Sequence, residues 1–446
     1  MIIHNTTIIT WEAPNRILRG FALRVVEDRI TEIDEAPKLL EMYPQDERID
    51  AGGQLLMPGL ICAHTHFYGL FSRGMAIHGD APADFVEILQ KLWWPLDQSL
   101  REEDIYYSTL LSATDAIKHG TTTVFDHHAS PSAILGSLDV IEKAVSEVGL
   151  RTSLCYEVTD RGGAIKTEEG IQENLRMIEK TRSYPAGSLV TAMFGLHAGL
   201  TLSDETLKRS AESIQEGYGF HIHVAEHQSD EFNSLNRHGK KVIDRLDEFG
   251  ITGKDSIFVH GVHLDLKELE IIRDTGTWLT HQPRSNMNNA VGMASIEGAI
   301  RYGIPVCMGN DGFSFAMWDE WRACYLAHKL WNRDPRSMPG DLVSEMGAVN
   351  NAKLASQFFK DRIGTIEVGA KADLILVDYK PITDMTEGNL PWHILFGFRD
   401  SQVTTTIING KTVMKDRVIS GIDEAEIAQR AVGLSQEVWK RYQKQF

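Results

Sequence analysis

Across the middle of the chain, eight apolar, strand-like runs alternate with helical segments, and most of the runs end on a polar or ionisable residue. They are LMPGLICAHTH, TTTVFDHH, RTSLCYEV, SLVTAMFGLHA, YGFHIHVAEH, SIFVHGVH, TWLTHQPRSN and IPVCMGNDG. Regular strand–helix alternation is the pattern of parallel βα units, and eight such units close into a (β/α)8 TIM barrel. The expected fold class is therefore α/β. In a barrel of this kind the active site lies at the C-terminal ends of the strands, so the polar residues that end the runs are the ones to interpret. At 446 residues the chain suits a barrel of roughly 250 to 400 residues with an appendage.

The flanks supply the appendage. Residues 1–57 read as short strands broken by turns: MIIHNTTIIT, then FALRVVEDRITEID with alternating apolar positions, then Ala51-Gly52-Gly53. No helix of useful length fits there. A similar block returns in GTIEVGAKADLILVDYK and VTTTIINGKTVMKDRVIS. The expected organisation is a composite β-sandwich from residues 1–57 and 362–421, a barrel over 58–361 and a helix over 422–446. In that helix Ile427, Ala431, Leu434 and Val438 fall on one face.

Composition narrows the function classes. The 62 acidic residues outnumber the 45 basic ones for a formal charge of −17, which disfavours nucleic acid or an anionic membrane as partner. No apolar stretch approaches the ~18 residues of a spanning helix, and the N-terminus has no basic region followed by an apolar core. Cys62, Cys155, Cys307 and Cys324 form no CxxC and are expected to be reduced and mostly buried, as in a cytoplasmic protein.

The chemistry lies in the run ends. His64 and His66 stand at i and i+2 on a strand, so both imidazoles point the same way and can chelate one ion. The fifth run offers His221 and His223, one of which would complete a triad, and then Glu226, placed where it can take a proton from a bound water. His260 ends the sixth run and Asp311 the eighth. A lone strand histidine is more often a hydrogen-bonded core residue, and Asp-Gly is more often only a turn. Converging on one end of a barrel, these nitrogen and oxygen donors suit one Zn²⁺ or Fe²⁺.

The order H-x-H after Pro-Gly, then H-x-H-x-x-E, then His-Gly, then Asp-Gly after the eighth run resembles the amidohydrolase superfamily. In particular it resembles the branch of cytosine deaminase, triazine hydrolase and guanine deaminase. MPGLICAHTH and GAKADLILVD extend the likeness over nearly the whole chain, and LWWPLD, FDHHASP and RSNMNNAVG are similar to the aminohydrolases called SsnA. The resemblance implies His64, His66, His223 and Asp311 as ligands of one divalent ion. It implies Glu226 as proton shuttle, His260 as the group that polarises the attacked centre, and Asp311 as acceptor of a proton from the metal-bound water. His221 is left as a supporting or core residue. A binuclear site in this kind of barrel would need a lysine on the fourth strand, and SLVTAMFGLHA has none. Asn310 stands where relatives often carry Thr.

Candidate substrate contacts are Trp94, His128, His197 and Asn286, with Trp93, His127 and Asn288 beside them. Such aromatic and amide groups suit a flat nitrogen heterocycle. The expected reaction is hydrolytic deamination of a purine-like heterocycle by metal-bound hydroxide with release of ammonia, in a homo-oligomer. The alternatives are dechlorination at a similar site, ring-opening amide hydrolysis, and a barrel that has lost its chemistry and serves as a scaffold.

Overall fold

The computed structural model describes residues 1–446. Its centre is a ring of parallel strands: β1 (Leu60–Thr65), β2 (Thr121–Asp126), β3 (Arg151–Leu154), β4 (Val190–Ala192 and Phe194–Ala198), β5 (Phe220–Val224), β6 (Ile257–His260), β7 (Trp278–His281) and β8 (Val306–Met308). Pairing runs in order from β1 to the first half of β4, and from its second half to β8. Met193 separates the halves of β4, its amide donating to the Leu154 carbonyl at 2.9 Å while the Phe194 amide donates to Gly219 at 3.1 Å. One strand thus serves both neighbours by turning at a single residue.

The seam between β8 and β1 closes in two ways. Thr65 and Asp311 form a parallel bridge, and the Asn310 amide donates to the His64 carbonyl at 3.0 Å. At the other end, the Asn351 side-chain amide donates to Ile61 O at 2.7 Å and Met308 O at 2.9 Å while its oxygen accepts from Met308 N at 2.8 Å. One side chain therefore stitches both seam strands. The closed ring is a (β/α)8 barrel.

Alternation along the strands divides the core. On β5, Phe220, Ile222 and Val224 join the apolar layer under the helices, which leaves His221 and His223 on the inner face. Ile61, Phe125, Met193, Ile257 and Cys307 pack in one cluster with Ala352 and Leu354 of the helix Asn351–Phe359. That apolar floor lies below a polar upper layer. All four cysteines are free and buried.

Both chain ends meet in a second β layer. A seven-stranded sheet sets Thr7–Ile9, Ile17–Arg19 and Leu55–Pro58 edge to edge with Leu374–Val377, Val403–Ile408, Lys411–Lys415 and Val418–Ile419, the two blocks joined where Leu55–Pro58 pairs with Leu374–Val377. A four-stranded sheet is built from N-terminal strands alone, and the two share a core of Ile3, Ile8, Leu23, Leu56, Leu374 and Ile407. Arg151 at the start of β3 ties this layer to the barrel through a buried pair with Asp373, at 2.8 Å from Nε. One expectation fails here, since residues Ala36–Met42 form a helix. It is only seven residues long, with Pro37 as its second residue, and it is held by Leu39 packing against Ile2 and Ala22 rather than by its own periodicity.

Candidate metal and catalytic site

At the C-terminal mouth of the barrel, the acceptor atoms of four side chains converge. Nε2 of His66 lies 3.2 Å from Nε2 of His223 and 3.0 Å from Oδ1 of Asp311, which is also 3.4 Å from Nε2 of His64. Each imidazole has its tautomer set by what its other nitrogen touches. His66 Nδ1–H donates to the His127 carbonyl at 2.6 Å, and His223 Nδ1–H to the His197 carbonyl at 2.7 Å. His64 is set by a relay: the Cys155 thiol donates to Asp126 O, His221 Nδ1 meets Sγ at 3.8 Å, and His221 Nε2 accepts from His64 Nδ1 at 2.9 Å. Three Nε2 lone pairs and a carboxylate therefore face one point, and the buried Nε2 of His64 has no partner.

That donor set fits a divalent cation. Zinc bonds of 2.0–2.2 Å place the donors of a tetrahedral site roughly 3.3 Å apart, close to the distances between these atoms. Burial holds the His64 and His223 imidazoles below their usual range, His223 down to about 4. Burial opposes charge on His66 too, yet Asp311 and Glu157 hold it well above the imidazole range. Proton and metal compete for such lone pairs, and the quartet demands positive charge at its centre.

Three chain turns aim the remaining groups. Ala225, His260 and Asp311 all have left-handed backbones, at φ of 46°, 73° and 56°, a conformation that costs non-glycine residues of order 1 kcal/mol or more each. The turn at Ala225 lets Glu226 fold back over the mouth, where Oε2 lies 3.3 Å from His260 Nε2 and Oε1 accepts from Asn289 Nδ2 at 3.2 Å. Burial, followed by the Asp311 charge, raises the Glu226 carboxyl well above the usual range. Asp311 is driven the other way: burial opposes its ionisation, but the His64 and His66 contacts outweigh it. Its second oxygen accepts from the Ser285 hydroxyl. His260 Nδ1–H donates to Asn286 Oδ1 at 2.9 Å, so Nε2 is the nitrogen presented to the cleft.

Above the quartet opens a cleft of about 670 Å³ lined by Tyr68, Phe85, Leu89, Trp93 and Trp94 on one wall and by His197, Glu157 and Asp97 among its polar groups. Among the expected substrate contacts, Trp94 and His197 line it, whereas His128 and Asn286 do not. His128 is fully buried on Ser130, at 2.9 Å, and Asn286 serves His260 from behind. Sequence reasoning missed Glu157, Asp97, Ser285 and Asn289. A carboxyl inside the apolar run CYEV was the one available signal for Glu157, whereas Asp97 lies within LWWPLD and Ser285 and Asn289 within RSNMNNAVG, segments that carried the resemblance without marking which of their residues face the site.

Residues 55–413 match the Amidohydrolase family. This chain belongs to the amidohydrolase family. Among curated relatives, this amidohydrolase is 31% identical over 446 residues to the 5′-deoxyadenosine deaminase of Methanosarcina mazei, covering 99% of each chain. Its fold is similar to that of a zinc-bound adenosine deaminase from Xanthomonas campestris, with a TM-score of 0.84 at 21% identity and 98% of each chain covered. It is also similar to the zinc complex of atrazine chlorohydrolase TrzN from Arthrobacter aurescens, with a TM-score of 0.82 at 18% identity over 97% of this chain and 99% of that one. No helix of the amidohydrolase is long and apolar enough to cross a membrane.

Proposed function

We propose that this protein hydrolytically deaminates an aminated nitrogen heterocycle of purine-like shape, releasing ammonia, with one zinc ion per chain on His64, His66, His223 and Asp311. What carries the reading is Glu226, a buried carboxyl with a raised pKa that stands beside the donor quartet without joining it. A divalent ion held by the quartet would supply a Lewis acid that brings a water's pKa from 15.7 toward about 7.

The chain's own groups do the rest. Glu226, its carboxyl raised well above the usual range, delivers its proton to the ring nitrogen beside the attacked carbon, takes up the proton left on the added oxygen and hands it to the departing amine, and is restored by the proton that Asp311 received from the attacking water. His260, oriented by Asn286, hydrogen-bonds the oxygen that adds to that carbon. Asp311 takes up the proton which the attacking water sheds, and Ser285 and Asn289 hold the two carboxyl groups in place. Trp94 and its aromatic neighbours stack on the ring and exclude bulk water.

Several observations support the finer points. The deaminase relative at 31% identity over 99% of the chain favours loss of ammonia over loss of chloride. β4 contributes His197 and no lysine, in keeping with a single ion and against the ring-opening class. Four buried free cysteines are in keeping with a cytoplasmic setting. An exposed apolar face beside the mouth, around Leu330 and Trp331, fits a second copy of this chain.

The test is an ammonia-release screen of zinc-loaded protein against aminated purines, pterins, pyrimidines and triazines, with elemental analysis of the same preparation. The reading expects turnover of at least one ring and close to one metal per chain. Chloride release alone, or two metals per chain, would overturn it.

A further inference from the structure

Of the buried carboxyl groups at the cleft that the proposed reaction does not use, Asp97 pairs with Arg161 and Asp230 accepts from the Ala225 amide, while Glu157 has neither kind of partner. It follows β3, is 1% exposed, and its Oε1 has no hydrogen-bond partner. Its neighbours are three histidine rings. His66 Nδ1 lies 3.2 Å away, but its proton is committed to the His127 carbonyl. His127 Nδ1 lies 3.5 Å away, and the ring's proton is on Nε2, which donates to the His221 carbonyl at 3.0 Å. His197 Nε2 lies 3.8 Å from Oε2. The Thr201 hydroxyl donates to Ala198 O and so must accept from His197 Nδ1–H, at 2.7 Å, which leaves Nε2 of His197 bare.

The Glu157 carboxyl oxygens and two imidazole lone pairs thus meet, and the nearest N–H, on His66 Nδ1, is engaged by the His127 carbonyl. A buried arrangement of acceptors alone is costly unless something brings hydrogen to it. Both Glu157 and His197 line the cleft, so a bound molecule can do so. Depth decides which part of the molecule. Glu157 touches the ligand histidine His66, so the donor lies on the reacting ring itself, whereas a sugar or other substituent would extend away from the quartet.

We propose that Glu157, with His197, is a specificity-determining acceptor site for a ring N–H, so that the favoured substrates are amino-lactams or cyclic guanidines. An adenine-type ring is disfavoured, because its ring nitrogens near the reacting carbon are bare acceptors and would face Glu157 lone pair to lone pair. The proposal rests on the deaminase reading only for the identity of the reaction. Recognition of the ring edge can be measured on rings that have no amine to lose.

The experiment is therefore binding of hypoxanthine, which carries the lactam N1–H, against 1-methylhypoxanthine and unsubstituted purine, by calorimetry on the zinc-loaded full chain. A hydrogen bond to a buried carboxylate should give at least about tenfold discrimination. We expect hypoxanthine to bind at least that much tighter than either comparison ring. The advantage should shrink in Glu157→Gln and vanish in the similarly sized Glu157→Met, with zinc content unchanged. Equal binding of the three rings by the wild type would overturn the proposal, as would full discrimination persisting in Glu157→Met. If neither variant folds, the wild-type comparison still decides. Ammonia release plays no part in it, so failure of the deamination reading would be seen separately.

Discussion

Three residues beyond a metal-facing histidine, a carboxylate can end as a ligand or as a proton carrier, and in this site the turn at Ala225 decides between them. It folds Glu226 back toward His260, 3.3 Å away, and Asn289 fixes its other oxygen. Glu226→Gln preserves size and both contacts while removing the exchangeable proton. The expected outcome is a fall in kcat of about 10²- to 10⁴-fold, with one zinc per chain retained in elemental analysis and ligand affinity little changed. A variant that lost its zinc would make Glu226 a ligand, and one that turned over normally would remove it from the reaction. At this scale the strand-end histidines were legible, because i, i+2 spacing on a strand fixes a shared direction without any knowledge of neighbours. Their supports were not. Cys155 acts on His64 through His221, and Asn286 acts on His260, across separations that only the closed ring brings together. The left-handed turns at Ala225, His260 and Asp311 also leave no mark in residue type, save that Asp tolerates the conformation.

At the scale of elements, the eight strands could be read because each is a short apolar run between helices, while the seam depends on Asn351, far outside every run. The flanking β blocks were visible as two separate sets of strands, but not the pairing of Leu55–Pro58 with Leu374–Val377 that joins them. We propose that residues 1–57 and 362–421 form one folding unit. Limited proteolysis should then leave the two segments associated after a cut, and release of 1–57 as a soluble fragment from a still active remainder would refute this. The C-terminal helix, Glu424–Gln443, has a different task. Trp439 Nε1 donates to Phe71 O at 2.8 Å, Arg441 Nε to Ser99 O at 2.7 Å, and the Tyr442 hydroxyl to Lys91 O. These contacts clasp the segment after β1 that carries Trp93, Trp94 and Asp97, of which residues 73–84 have neither helix nor strand. Arg441→Met removes the Ser99 contact and the Asp104 ion pair, and should loosen the cleft wall while leaving the quartet alone. The expected result is a KM raised several-fold with kcat within about twofold, together with faster protease cleavage between residues 73 and 84. An unchanged KM would mean that the wall holds itself.

For the whole molecule, a charge of −17 makes two copies repel, so any contact between them has to be made on a face without charge and be worth more than the repulsion. One face qualifies. On the helix Met317–Asn332, Leu326, Leu330 and Trp331 are 59%, 82% and 61% exposed, and Phe396 on the helix Leu390–Gly397 is 61% exposed with its ring 5.7 Å from that of Tyr325. Met287 and Met293 extend the surface toward the loop after β7. Contiguous apolar patches of this kind mark association surfaces more often than chance exposure does, and closed two-fold dimers are the commonest outcome for a self-complementary face. Trp331→Glu puts a charge at its centre without touching the cleft residues. Light scattering should find the wild type as a dimer or larger and the variant as a monomer at micromolar concentration, with zinc content unchanged. Because the face abuts Val262 and His263 just after β6, whose last residue His260 points into the site, dimer loss should also lower kcat/KM by a few-fold. Raising the ionic strength should strengthen association of the wild type, since salt screens the repulsion and leaves apolar burial intact. A wild type that is monomeric at all concentrations and salts would leave these apolar side chains without the partner assigned to them.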